Sequence, residues 1–250
     1  MNNNKNQREI LRLIRKMNPE QREIFNGLLE DVRNLSNEAK EKGITANEFT
    51  KALFIVDMNN GFVNFGAMAN PEYNALVPEQ LKLIERFRKE QQLVNFILEG
   101  HIEEAVEFLL YPQHCVLGTP EAELIPEFKD EQNKENTNVY YKNSINGGLN
   151  LDLQIDLEDL RDLKEIVVCG VCTDLCVLDF VRTLARYLDE INHKVQIFVV
   201  ASVCSTFDAP GHERAEEEEL AYRMMRAAGV EVVANTEELE IREKALGLRA

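Results

Sequence analysis

From residue 52 onward, short unbroken runs of aliphatic and β-branched residues alternate with longer stretches of helical spacing, and this rhythm restricts the fold more than any other feature of the chain. The runs occupy 52–57, 93–98, 138–141, 165–169, 195–200 and 230–233. The helix-like stretches occupy 79–91, 102–110, 174–190, 212–228 and 236–246. An apolar run without polar alternation suits a strand covered on both faces. Strands separated by helices suit a parallel sheet, because each return to the same edge needs a crossover. The pattern predicts an α/β protein, a three-layer α/β/α domain around a six-stranded, mainly parallel sheet. The polar stretch 129–138 reads as an exposed loop before the third strand.

Residues 1–48 have a different pattern and predict a helical N-terminal extension, with the sheet domain spanning 49–250. Asn18 before Pro19 has the form of an N-cap followed by proline in the first turn. Phe25, Leu28, Leu29, Val32 and Leu35 recur at helical spacing, and Gly43 supplies a stop. That stripe is expected to pack on a domain surface or on another subunit, so a homo-oligomer is expected.

The charge balance narrows the partners. The net charge of −16 repels phosphate backbones and anionic lipid heads, so nucleic acid and membrane surfaces are not expected partners. No apolar run approaches the roughly 18 residues of a membrane span, and the opening MNNNKNQREI lacks a signal-peptide core. A cytoplasmic location is the expectation. There, Cys115, Cys169, Cys172, Cys176 and Cys204 read as thiols rather than a disulfide framework.

In an open parallel sheet, ligands bind beyond the carboxyl ends of the strands. Those ends carry Asp57, the Glu99/His101 pair, Lys142 and the segment 170–177, GVCTDLCV. The last segment leaves a buried strand and opens a helix that Thr173 or Asp174 can cap. Cys176 then falls near a helix start, where backbone N–H groups favour a thiolate. Asp57 could accept a proton from that thiol, and the Lys142 ammonium could hold the anionic states in place. Taken singly, each has a plainer reading: a structural thiol, a turn-forming carboxylate, a solvated charge.

Together, Asp57 at the end of the first strand, Lys142 in a K-x-x-x-x-G segment and G-x-x-T-D-x-C-V at 170–177 resemble the isochorismatase-like cysteine hydrolases. HCVLGTP at 114–120 resembles their nicotinamidase/pyrazinamidase branch. The resemblance covers roughly residues 52–235. It implies catalytic residues Asp57, Lys142 and Cys176, an oxyanion hole from the backbone N–H groups of Cys172 and Cys176, and a cis peptide between Val171 and Cys172. It implies hydrolysis of a small-molecule amide, nicotinamide above all, through a thioester.

By the same resemblance, Glu99, His101 and His114 stand where the branch has metal ligands, with Glu99 replacing an aspartate. Two imidazoles and a carboxylate suit zinc, iron or manganese. No organic cofactor is implied. Phe62 and Tyr111 fall where the branch binds a flat ring, and Tyr111 replaces a usual tryptophan in a chain that has none. Other small amides or ureido compounds, such as a carbamoylated amine or maleamate, remain alternatives. So does a catalytically silent scaffold that binds a partner through its N-terminal helices.

Overall fold

The structure is a computed structural model and describes residues 14–28, 30 and 49–249. In the first of these stretches, residues 19–28 are helical. Asn18 and Gln21 cap the helix start reciprocally. The Gln21 N–H donates to Asn18 Oδ1 at 2.8 Å, and the Asn18 N–H donates to Gln21 Oε1 at 3.0 Å. This satisfies two amide donors that a helix start otherwise leaves open. The rest of the expected amphipathic stripe (Leu29, Val32 and Leu35) and the Gly43 stop lie outside the described residues.

The sheet has six strands: β1 (Lys51–Val56), β2 (Leu93–Glu99), β3 (Thr137–Lys142), β4 (Glu165–Val171), β5 (Gln196–Ser205) and β6 (Glu231–Val233). Their order is β3-β2-β1-β4-β5-β6, and every pairing is parallel. Each of the apolar runs became a strand within a few residues of its expected bounds. Every residue of β1, β2 and β4 is buried. Since successive side chains point to opposite faces, that burial requires cover on both. Phe54 of β1, for example, packs against Phe180 of the helix Leu178–Glu190 with centroids 5.4 Å apart.

The strand order reverses between β1 and β4, and the carboxyl ends of the strands open a crevice there. The approach of β1 and β4 is unusually close at one residue. Gly170 has φ +129°, and a Cβ placed on it would lie 2.1 Å from the Val56 carbonyl oxygen. No L side chain fits there. Gly170→Ala is expected to destabilise the domain by about 3 kcal/mol or more, read from urea unfolding. A variant of unchanged stability would contradict this account of the glycine.

The amino-terminal edge of the sheet is closed by charge instead. Lys51 Nζ lies 3.4 Å from Glu165 and 3.3 Å from Glu243, and Arg86 also pairs with Glu243. Burial pushes the Glu165 carboxyl up to about 8.

Two helix expectations need correction. Residues 102–110 do not form an α-helix, and only Val106–Leu109 make a 3₁₀ turn. Val106, Leu109 and Leu110 stand 80%, 89% and 76% exposed, so the apolar stripe that suggested a helix has no core beneath it. Segment 174–190 is α-helical only from Leu178, because Thr173–Val177 winds as a π-turn. Two α-helices were not anticipated: the single turn Asn60–Val63, and Leu151–Asp159, which is capped by Asn150 accepting from the Leu153 N–H at 3.0 Å. Among the described residues, no helix is long and apolar enough to cross a membrane.

Candidate active site

The strand ends bring the expected residues to one place. Asp57 is the first residue beyond β1. Its N–H donates to the Ile97 carbonyl at 2.8 Å, and φ of 54° turns the carboxyl out of the strand line. Glu99 and Lys142 end β2 and β3 and are direct partners across that pair. Cys176 lies in the π-turn after β4, whose N-cap is Cys172 with no side-chain cap. The capping expected of Asp174 is replaced by a bond to His212, with Nε2 to Oδ2 at 2.8 Å. The Val171–Cys172 peptide is cis.

Lys142 is the hub. Its ammonium lies 2.9 Å from Asp57 Oδ2 and 3.7 Å from Cys176 Sγ, and it also donates to Glu99 Oε2. Donor atoms of Asp57, Glu99 and Cys176 lie within 4.8 Å of one another. All four side chains are buried. One cation therefore faces two carboxyl groups and a thiol in a dry setting, and burial weighs most on their protonation states.

Burial pushes the Asp57 carboxyl up and the Glu99 charge adds to this, while Lys142 opposes it; the result is about 7. Burial also pushes the Cys176 thiol well up, Lys142 pulls it down, and Asp57 and Glu99 push it up again. This departs from the thiolate expected at a helix start. Burial, with the two carboxyl groups adding to it, outweighs the pull of Lys142 and favours the protonated sulfur.

A second cluster adjoins the first through Glu99, which is longer than an aspartate by one methylene. Its Oε2 reaches Lys142, while its Oε1 lies 3.0 Å from His101 Nε2. His101 and His114 are neighbours because the segment after His114 runs alongside residue 101. The His101 N–H donates to the Cys115 carbonyl at 3.0 Å and the Leu117 N–H donates to that of His101 at 2.8 Å. The two rings meet edge to face at 4.8 Å, and Phe108 packs on both.

Glu107 completes this cluster and was not anticipated. Donor atoms of Glu99, His101, Glu107 and His114 lie within 4.8 Å of one another. The sole sequence signal was a lone carboxylate in the apolar run AVEFLL (105–110).

The cluster fits a divalent transition metal. His114 Nδ1 lies 2.7 Å from the Pro112 carbonyl, which fixes the proton on Nδ1 and leaves the Nε2 lone pair free. His101 Nε2 and Glu99 Oε1 are buried and face each other at 3.0 Å without the alignment of a hydrogen bond. Burial lowers the proton affinity of His101, but Glu99 more than compensates and raises it. A cation would take the place of that proton.

A cavity of about 310 Å³ opens onto both clusters, within the range of ~300–1,000 Å³ usual for small ligands. Phe62 and Tyr111 line it, together with Tyr73, Glu99, His114, Cys172 and Cys176. Phe207 also lines it, from a loop that carried no site expectation. The Cys172 side chain lies 3.3 Å from the Tyr73 hydroxyl, and its thiol is pushed up to about 11 by burial. Cys115 and Cys204 are buried and bonded to no other cysteine.

This geometry can be set beside known proteins. Over 210 residues the chain is 32% identical to Nicotinamidase 1 of Arabidopsis thaliana, covering 73% of this chain and 84% of that one. The structure superposes on a nicotinamidase of Bacillus subtilis with TM-score 0.61 and 25% identity, over 74% of this chain and 99% of that one. It superposes on a pyrazinamidase of Pyrococcus horikoshii, solved in complex with zinc, with TM-score 0.60 and 26% identity, over 74% and 98%. Residues 51–237 match the isochorismatase domain model, and the chain belongs to that family.

Proposed function

We propose that the protein hydrolyses nicotinamide, or a close aromatic carboxamide, to the carboxylic acid and ammonia through a thioester on Cys176. Family membership and the identity to a nicotinamidase make it a hydrolase of non-peptide C–N bonds. The observation that carries the finer reading is the buried Lys142 ammonium, 2.9 Å from Asp57 and 3.7 Å from the Cys176 sulfur at the wall of the cavity.

The charges explain the order of events. A free thiolate beside two carboxylates and one ammonium would add a charge to a dry site, which is costly. Moving the proton from Cys176 to Asp57 as the sulfur attacks keeps the total constant. The S–C bond forms as the carbonyl π electrons move to oxygen, and the backbone N–H groups of Cys172 and Cys176 are assigned to receive that oxyanion. Asp57 then gives its proton to the departing nitrogen as the C–N bond breaks. Ammonia leaves and the thioester remains. Water next gives a proton to Asp57 and attacks the thioester carbon. The S–C bond breaks, and the proton returns from Asp57 to sulfur.

Glu99, His101, Glu107 and His114 would hold a divalent metal at the cavity wall. When bound, it supplies a Lewis-acidic point that can accept a ring nitrogen and so orient a flat substrate. Phe62 and Tyr111 offer aromatic faces to the same ring.

The test is ammonia release from nicotinamide and from an aliphatic amide of similar size, each with and without a chelator. Chelation is expected to weaken nicotinamide turnover by about tenfold or more and to spare the aliphatic amide, and His101→Ala to do the same. Turnover of aliphatic or ureido substrates alone, indifferent to chelator, would move the assignment to a non-aromatic amide and leave the Asp57–Lys142–Cys176 mechanism in place.

A further inference from the structure

Phe207 is a cavity wall that no nearby secondary structure holds. It stands at the start of segment 206–213, which links β5 to the helix Arg214–Ala227. What fixes it is His212. The two rings stack with centroids 3.9 Å apart and planes 6° from parallel. His212 Nδ1 lies 3.2 Å from the Phe207 carbonyl oxygen, and Nε2 lies 2.8 Å from Asp174 Oδ2. Asp174 belongs to the same π-turn as Cys176. One imidazole therefore ties the cavity wall to the turn that carries the sulfur.

Both partners of the ring are acceptors, a carbonyl and a carboxylate. A neutral imidazole donates from one nitrogen only. Both contacts are hydrogen bonds only when His212 is an imidazolium, and the same charge strengthens its stack on Phe207.

We infer that His212, as an imidazolium, is a positioning residue that clamps Phe207 against the cavity and thereby sets the enzyme's affinity for flat aromatic amides. This rests on the aromatic carboxamide reading above.

The charges around the ring favour the clamped form. Asp174 faces it from the π-turn, and Glu217 of the following helix brings a carboxylate oxygen within 4.8 Å of both. Glu218 is engaged with the Thr206 N–H at 3.0 Å. In the segment itself, Asp208 Oδ1 accepts from the Arg214 N–H at 3.2 Å, and the Arg214 guanidinium is drawn to Glu72. Glu213 is an exposed neighbour. Burial lowers the proton affinity of His212, but the bond and charge of Asp174, with Glu217, raise it above the ordinary value. The clamp is therefore complete below that raised value and loses one of its two bonds as pH rises through it. Affinity for a flat substrate should fall in the same direction.

The experiment measures kcat and KM of the full-length protein for nicotinamide and for a small aliphatic amide. His212→Ala is expected to raise KM for nicotinamide about tenfold while changing kcat less than about threefold. Phe207→Ala should match it, and the double variant should be no worse than either alone. The aliphatic amide should not distinguish these proteins. In the native enzyme, KM for nicotinamide should climb with pH, and in His212→Gln it should be flat. A folded His212→Ala with native KM, additive effects in the double variant, or equal losses on both substrates would overturn the clamp. A native enzyme that turns over only the aliphatic amide would instead overturn the aromatic reading beneath it.

Discussion

Cys176→Ala should leave a folded protein that releases ammonia at least about 10⁴-fold more slowly than the native enzyme, because Cys176 is the thiol beside Lys142 while Cys172 lies against the Tyr73 hydroxyl. The side chain is only 6% exposed and small, so its loss should cost little packing. Cys172→Ala is the matching control. Its thiol lines the same cavity but faces the Tyr73 hydroxyl, and only its backbone N–H has a place in the mechanism. That variant should keep most of the activity. Rapid quenching with substrate, followed by mass measurement, should find the acyl adduct on the peptide containing Cys176. Native-like turnover by Cys176→Ala, or an adduct on Cys172, would refute the assignment. Because burial and the neighbouring carboxyl groups hold the resting sulfur as a thiol, general alkylation at neutral pH should be slow. Reactivity here is expected to come from Asp57 during attack.

Lys142→Ala should have the next largest effect. It removes the one cation from among Asp57, Glu99 and Cys176. Loss of turnover by about 10³-fold or more is expected, since members of such a trio act as a unit. The pH profile separates an electrostatic cause from a collapsed site. In the native enzyme Asp57 must begin as a carboxylate, so kcat/KM for the small aliphatic amide, which the Phe207 clamp does not touch, should rise with pH through about 7 and then level off. Lys142 opposes the upward push on Asp57. Its removal should therefore move the acid limb to higher pH. Stability follows the same group. The native Asp57 carboxyl holds its proton between its ordinary value of 3.8 and about 7, so its contribution to stability falls as pH rises through that window. Full activity in Lys142→Ala with an unmoved limb would rule out the ion-pair arrangement.

The parts of the molecule that could be read from sequence share one property, which is that their signal is local. Strands buried on both faces leave unbroken apolar runs, which made β1, β2 and β4 plain, and shorter runs of the same kind marked β3, β5 and β6. Asp57 and Lys142 were visible because each ends or directly follows such a run, and Cys176 because the segment GVCTDLCV opens a helix shortly after one.

Helix Leu151–Asp159 failed this test. Leu151, Leu153, Ile155 and Leu157 alternate with polar residues in the manner of a strand, yet Asn150 caps a helix that buries only Leu153 and Leu157, one turn apart. Segment 102–110 failed in the other direction. It has helical spacing, but its course is set by Glu107, whose Oε2 accepts from the Ile145 N–H at 3.0 Å. Phe207 and His212 could not be read at all. Their meaning depends on Asp174, far away in the chain, and stacking between them leaves no periodic trace.

The placement of Asp57, Glu99, Lys142 and Cys176 at or shortly after the carboxyl ends of four adjacent strands has a consequence for heat. Amide groups in buried central strands open only when the whole domain opens, whereas loops open at far lower cost. Bond-breaking capacity should therefore persist until the domain melts as a unit. Segment 206–213 has no strand to lean on and should loosen earlier. On warming there should be an interval in which the protein still turns over quickly at saturating substrate but no longer favours flat molecules over small ones. Selectivity and speed would then fail at two different temperatures in one chain.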